Sequence, residues 1–192
     1  MNTKTSLFTG KLINLKPLDM EKDSKLFAAW ERDSEYHRLG NDDPARLFSA
    51  RENKDWLENH FHEFIMFTIH SNEDDKVIGS IELMKIQWPS GDAWVGIGIG
   101  ERDYWGKGYG TEAMKIILRY AFEELNLHRV SLSVFDYNKR AIRSYEKAGF
   151  QHEGVIRQYV MREGKTWGLV FMGILRDEWE ASYHSAEIHT PK

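Results

Sequence analysis

Trp105-Gly106-Lys107-Gly108-Tyr109-Gly110-Thr111-Glu112-Ala113 sits where an apolar, strand-like run ends and a helix-like run begins. At such a junction the first backbone N–H groups of the helix have no partner within it, and they converge on one point. Gly106, Gly108 and Gly110 lack the Cβ atoms that would hold a bulky anion away, and the positive end of the helix dipole favours phosphate. The stretch therefore reads as an anion site, and a pyrophosphate is the ligand that suits it. Alternating glycines also occur in tight turns and in other nucleotide folds, so a second element has to decide.

That element lies downstream: Asn138, Lys139, Arg140, Ala141, Ile142, Arg143, Ser144, Tyr145, Glu146, Lys147, Ala148, Gly149, Phe150. Taken together and in this order, the two stretches resemble the GCN5-related N-acetyltransferase (GNAT) superfamily. The likeness is strongest to the branch that acetylates ribosomal protein N-termini and related amines. It runs from about Gly10 to Trp179, specific in the second half of the chain and diffuse in the first. The resemblance implies an α/β (α+β) GNAT fold, a mixed central sheet of about seven strands with an antiparallel N-terminal meander, flanked by about four helices. It also implies acetyl-CoA as co-substrate and an amine as acceptor.

Length and composition fit one domain over 1–192, with a core of about 10–179 and a polar tail of about 184–192. At 192 residues and 41% hydrophobic the chain can bury a core, and no composition break splits it. A net charge of −4 argues against a nucleic-acid partner, which calls for a basic excess. Cysteine is absent, which excludes disulfides, thiolate metal sites and an acyl-cysteine intermediate. Acyl transfer must then be direct. Met1 to Ser6 is polar, and no apolar run approaches the ~20 residues of a membrane span, so a cytoplasmic protein without a membrane partner is expected. A homodimer is compatible with this reading. His60 and His62 lack the spacing of a zincin motif, and no metal is expected.

Along the chain, Lys11–Leu15 reads as a first strand, Asp19 as the cap of a helix to about Glu31, and Ser49–Asn59 as a second helix after a turn-rich loop. Phe64–Ile69, Val77–Trp88 and Trp94–Gly100 form a meander. In its last strand Val95, Ile97 and Ile99 alternate with Gly96, Gly98 and Gly100, leaving one face as bare backbone against which a ligand or a helix can lie. Thr111–Leu125 is a helix and Arg129–Phe135 a strand, parallel to Trp94–Gly100 because a crossover joins them. A short helix at Asn138–Lys147 and strands at about Phe150–Arg157 and Leu169–Leu175 follow, and the residues after Tyr183 read as a disordered tail.

An acyl-CoA offers a pyrophosphate, an amide-rich pantetheine arm and a thioester. Trp105, Gly106, Lys107, Gly108, Tyr109, Gly110 and Thr111 suit the first, and the exposed backbone of Ile97 and Ile99 suits the second. Attack by an amine needs a base for its proton and an acid for the departing thiolate. Tyr145 lies two helical turns after Asn138 and shares its face, so one can hold the arm while the other reaches the sulfur; Tyr145 reads equally as a core residue beside Phe150. The resemblance implies that Asn138 contacts the arm and that Tyr145 is the general acid. Glu82 interrupts an apolar strand and is the candidate base, directly or through water, with a solvated strand residue as the alternative.

Two departures from the family pattern stand out: Trp105 where Gln or Arg is frequent, and Gly168 where many relatives carry an aspartate. Between Glu31 and Asp43, the acids Glu31, Asp33, Glu35, Asp42 and Asp43 outnumber Arg32 and Arg38. An acidic rim of this kind concentrates cationic amines and keeps a polyamine acceptor open, although loops are also acidic for solubility. A non-catalytic acyl-CoA sensor and an unrelated nucleotide-binding enzyme are the competing readings. The second leaves the Asn138–Phe150 stretch unexplained.

Overall fold

The period-two runs build a seven-stranded sheet, and the helical runs cover both of its faces. The computed structural model describes the backbone of residues 7–188 and side chains as far as Tyr183. In chain order the elements are β1 (Ile13–Pro17), α1 (Met20–Glu31), α2 (Ser34–Gly40), α3 (Ala50–His60), β2 (Phe64–Ser71), β3 (Val77–Gln87) and β4 (Asp92–Ile99). There follow α4 (Tyr109–Arg119), β5 (Arg129–Phe135), α5 (Lys139–Ala148), β6 (Gln151–Arg162), β7 (Lys165–Leu175) and α6 (Arg176–Ile188). No helix among the described residues is long and apolar enough to cross a membrane.

The sheet order is β1-β2-β3-β4-β5-β7-β6, antiparallel except for β4 and β5. These two are parallel, as a right-handed crossover through α4 requires. Their pairing is short. It covers Asp92↔Arg129, Ala93↔Val130 and Trp94↔Ser131 and then stops, whereas β4 stays paired with β3 up to Gly79↔Ile99. Beyond Trp94 the two strands splay, and the β5-facing edge of β4 keeps unpaired backbone groups.

Alternation along β3 sorts the two layers. Ile81 and Leu83 are fully buried and join Met114, Ile117 and Leu118 of α4 in the main core. The intervening Glu82 faces the other way, towards the α1–α2 side, where Phe27, Trp30 and Leu57 form a second core with Tyr36, Phe64 and Met66 packed on it. α4 places Met114, Ile117, Leu118 and Ala121 at the spacing of one helical face, widens into a π-turn at Tyr120–Glu124, and stops at Asn126 in a left-handed conformation (φ 53°). Glu112 in the first turn of α4 accepts hydrogen bonds from the N–H groups of Lys11, Leu12 and Ile13 at 2.9, 2.7 and 3.0 Å. With those donors engaged by a side chain, β1 begins at Ile13 rather than at Lys11.

Several elements differ from the sequence reading. The segment taken as a loop after Glu31 contains α2, started by Asp33, whose carboxylate accepts from the N–H groups of Glu35 and Tyr36. With α6 the α-helices number six among the described residues, against about four expected. β6 and β7 are longer than expected: they form a hairpin through Glu163 and Gly164, both at positive φ (53° and 72°), and a bulge near Gln158 breaks the alternation that would have revealed it. The chain past Tyr183 continues as helix to Ile188 instead of a disordered tail, anchored by Trp179, which is buried against Phe122 and stacked on Tyr183. Residues 189–192 of that expected tail lie outside the described residues.

Candidate active site

Gly108 caps α4 with φ 95° and without a side-chain hydrogen bond, and Gly106 sits at φ 75°. Both conformations are open to glycine at little cost. Trp105 N–H bonds to Arg102 and Glu112 N–H to Gly108, but the N–H groups of Gly106, Lys107, Gly108, Tyr109, Gly110 and Thr111 have no protein partner among the described residues. A row of free donors at a helix N-terminus is an anion cradle. Trp105 locks its rim: the indole N–H donates to the Ile99 carbonyl at 2.6 Å, and the guanidinium groups of Arg140 and Arg102 lie over the ring, 3.7 and 4.9 Å from its centroid. Arg102 in turn holds Asp33 and Glu35, tying the loop to α2. Lys107 is exposed and does not line the cleft.

The cradle opens into a cleft of about 750 Å³ that follows the splay between β4 and β5. Ile97 and Ile99 line it from the β5-side edge of β4, where the Ile99 carbonyl is taken by the Trp105 indole and the other groups are free among the described residues, and Asn138 and Tyr145 of the α5 region and Glu82 of β3 line it too. A 2.8 Å hydrogen bond between Thr111 and Ser144 joins α4 to α5 across its wall. Asn138 serves the fold with both ends of its amide: Oδ1 accepts from Ala141 N–H as the helix cap, and Nδ2 donates to the Leu39 carbonyl at 3.2 Å.

Tyr145 packs its ring 6.2 Å from Phe150, and its hydroxyl has no partner among the described residues. Burial, and then the charge of Glu82, push its pKa up to about 12, so it is protonated at neutral pH and able to donate. The Glu82 carboxyl likewise has no hydrogen-bond or ion-pair partner among the described residues, and burial pushes its pKa up to about 7. A carboxylate titrating near the working pH is suited to proton abstraction.

The bare face of β4 is covered. Side chains of Glu82, Tyr36 and Trp30 lie directly on Gly96, Gly98 and Gly100, where any Cβ would collide with them. The glycines therefore admit one carboxylate and two rings from β3, α2 and α1 rather than a ligand. Tyr36 was missed in the sequence because α2 was missed; its phenol is raised well above the ordinary range by burial and by the charges of Glu31 and Glu82. Arg140, which stacks on Trp105 and lines the cleft, carried no sequence signal of its own. At Gly168, where the resemblance anticipates an aspartate, the carboxylate of Asp136 accepts from the glycine N–H at 2.9 Å.

A family model described as the acetyltransferase (GNAT) domain matches residues 13–151. The chain is similar to the SPbeta prophage-derived uncharacterized N-acetyltransferase YokL of Bacillus subtilis, 28% identical over 135 residues, 70% of this chain and 76% of that protein. It is also similar to the uncharacterized N-acetyltransferase p20 of Bacillus licheniformis, 33% identical over 113 residues, 59% of this chain and 63% of that protein. In fold it resembles the spermidine N-acetyltransferase from Vibrio cholerae solved with CoA and spermine, with a TM-score of 0.79 at 23% identity over 89% of this chain and 99% of that one. Since the family match runs from the first residue of β1 to the first of β6 and takes in the glycine loop, the splay and α5, the chain belongs to the GNAT acetyltransferase family and is an N-acetyltransferase.

Proposed function

We propose that this enzyme moves the acetyl group of acetyl-CoA directly to a primary amine within a ternary complex. The observation that carries the reading is that five residues with unpartnered N–H groups, Gly106, Gly108, Tyr109, Gly110 and Thr111, line the same cleft as the unpartnered carboxyl of Glu82 and hydroxyl of Tyr145. The pyrophosphate of the donor is held by those amides. Its pantetheine arm runs along the β5-side edge of β4, past Ile97, the N–H of Ile99 and Asn138, which brings the thioester to where the strands part. Asn138 fixes the start of α5 through Oδ1 and holds the Leu39 carbonyl with one Nδ2 hydrogen, which leaves the second Nδ2 hydrogen to donate to the arm.

Attack of the amine nitrogen on the thioester carbonyl forms the C–N bond and breaks the C–S bond. Glu82 takes the proton leaving nitrogen, directly or through one water, and Tyr145 gives a proton to the departing sulfur. The free thiol and the amide leave, and the two side chains are reset by exchange with solvent. Absence of cysteine from the chain is consistent with this direct route.

CoA is expected to raise the melting temperature by preferential binding to the folded state. Gly108→Val, which forces a β-branched residue to φ 95°, is expected to remove most of that rise. Binding of CoA without thiol release from acetyl-CoA, for every amine offered, would leave a sensor rather than a transferase.

A further inference from the structure

We infer that the acceptor is a single primary amine carried on an apolar body of aromatic size, not a polycation; this rests on the cleft being an amine-acetylating site. Four of the five acids in the segment that would attract a polyamine already have partners within the chain, and the fifth, Asp43, does not line the cleft. Asp33 and Glu35 bind Arg102 at 2.6 and 2.7 Å, Glu31 bonds His37 at 2.5 Å, and Asp42 accepts the Tyr159 hydroxyl at 2.9 Å. Glu82 remains as the one cleft-lining carboxylate without a partner among the described residues, which provides for one ammonium group.

The strand register defines what surrounds that carboxylate. Met66 of β2 and Gly96 of β4 flank Glu82 in its row, and Met84 and Trp94 pair in the next row on the same face. Trp56, more than half exposed, adds an aromatic wall stacked on Phe64. Thioether and indole surfaces of this kind favour an apolar occupant and offer a second ammonium no counter-ion. A cation already stands there: at the bulge that ends regular β3–β4 pairing, Lys85 takes a positive φ of 51° and sets its ammonium 5.6 Å from the Trp94 ring centroid, with no ion pair among the described residues. A polyamine anchored at Glu82 and extending along this wall meets like charge, whereas a phenethyl or methionyl side chain meets apolar surface.

The test is thiol release from acetyl-CoA by the full chain with phenethylamine, methionine amide and spermidine as separate acceptors. The expected kcat/KM for phenethylamine or methionine amide exceeds that for spermidine by about tenfold or more. Trp94→Ala should raise KM for phenethylamine while the acetyl-CoA constant stays nearly unchanged, and the surface change Lys85→Glu should shift preference towards spermidine. Equal or better rates with spermidine, or no change of preference in either variant, would overturn the inference while leaving the transferase standing. No thiol release with any of the amines would take down the transferase reading as well.

Discussion

Glu82 and Tyr145 approach the splay from opposite layers of the molecule, and the charge of Glu82 acts on the phenol of Tyr145. Burial raises the Glu82 pKa to about 7, so the form that can accept a proton grows as pH rises through that value. The expected pH–rate profile for kcat/KM has an ascending limb near pH 7 that Glu82→Gln abolishes along with most of the rate. Stability moves the other way. A carboxyl whose folded pKa lies above its unfolded value binds more protons when folded, so its contribution declines as pH rises from the ordinary carboxylate range to about 7. Glu82→Gln should therefore melt higher than the parent at pH 8 and close to it at pH 4. On the proposed mechanism Tyr145→Phe removes the general acid, which predicts a fall in kcat of ~10²–10⁴-fold with the acetyl-CoA affinity retained. Wild-type turnover would show that the thiolate leaves without this proton. Of these residues, Glu82 was legible because a carboxylate breaks an apolar strand, and Tyr145 because it falls in a recognisable stretch. Tyr36 was not, since its place on Gly98 depends on how α2 docks across the sheet.

At the scale of elements, the glycine loop and α4 owe their precision to contacts from far along the chain. Glu112 ties the entry of β1 to the first turn of α4 through three N–H bonds, and the loop rim is held by the Arg102–Trp105–Arg140 stack. Glu112→Ala leaves three donors at the start of β1 without their acceptor. A loss on the order of 2 kcal/mol is expected, or roughly 4–8 °C in melting temperature for a chain of this size. Thermal unfolding of the variant reads it directly, and an unchanged melting temperature would show that water replaces the carboxylate at no cost. Local signals found most elements: Asp19 caps α1 as read, α3 starts just after Ser49, and β5 has the expected ends. The signals failed where a short polar helix has no apolar stripe, as in α2. They found only the first half of β6, an edge strand exposed along nearly its whole length. Neither element shows the hydrophobic periodicity on which such reading depends.

Over the whole molecule, the proposed mechanism rests on a single interruption of the sheet. β4 and β5 begin paired and parallel, then part after Trp94, so donor and acceptor can reach one point from the two layers that the sheet otherwise separates. The α4–α5 layer supplies the anion cradle and Tyr145; the α1–α2 layer supplies the ring of Tyr36 and the ion-paired rim; β3 supplies Glu82 between them. The resemblance carried this architecture, whereas the length of the splay could not be read from periodicity, because β4 and β5 alternate regularly beyond the point where their pairing ends. The most direct test of the central claim is to incubate the full chain with acetyl-CoA and phenethylamine and measure released thiol and acetylated amine in the same samples. Equal amounts of both, with no thiol released when the amine is withheld, is the expected result. Thiol released without acetylated amine, or no thiol released while a spermidine, methionine amide and peptide panel is equally inert, would contradict it.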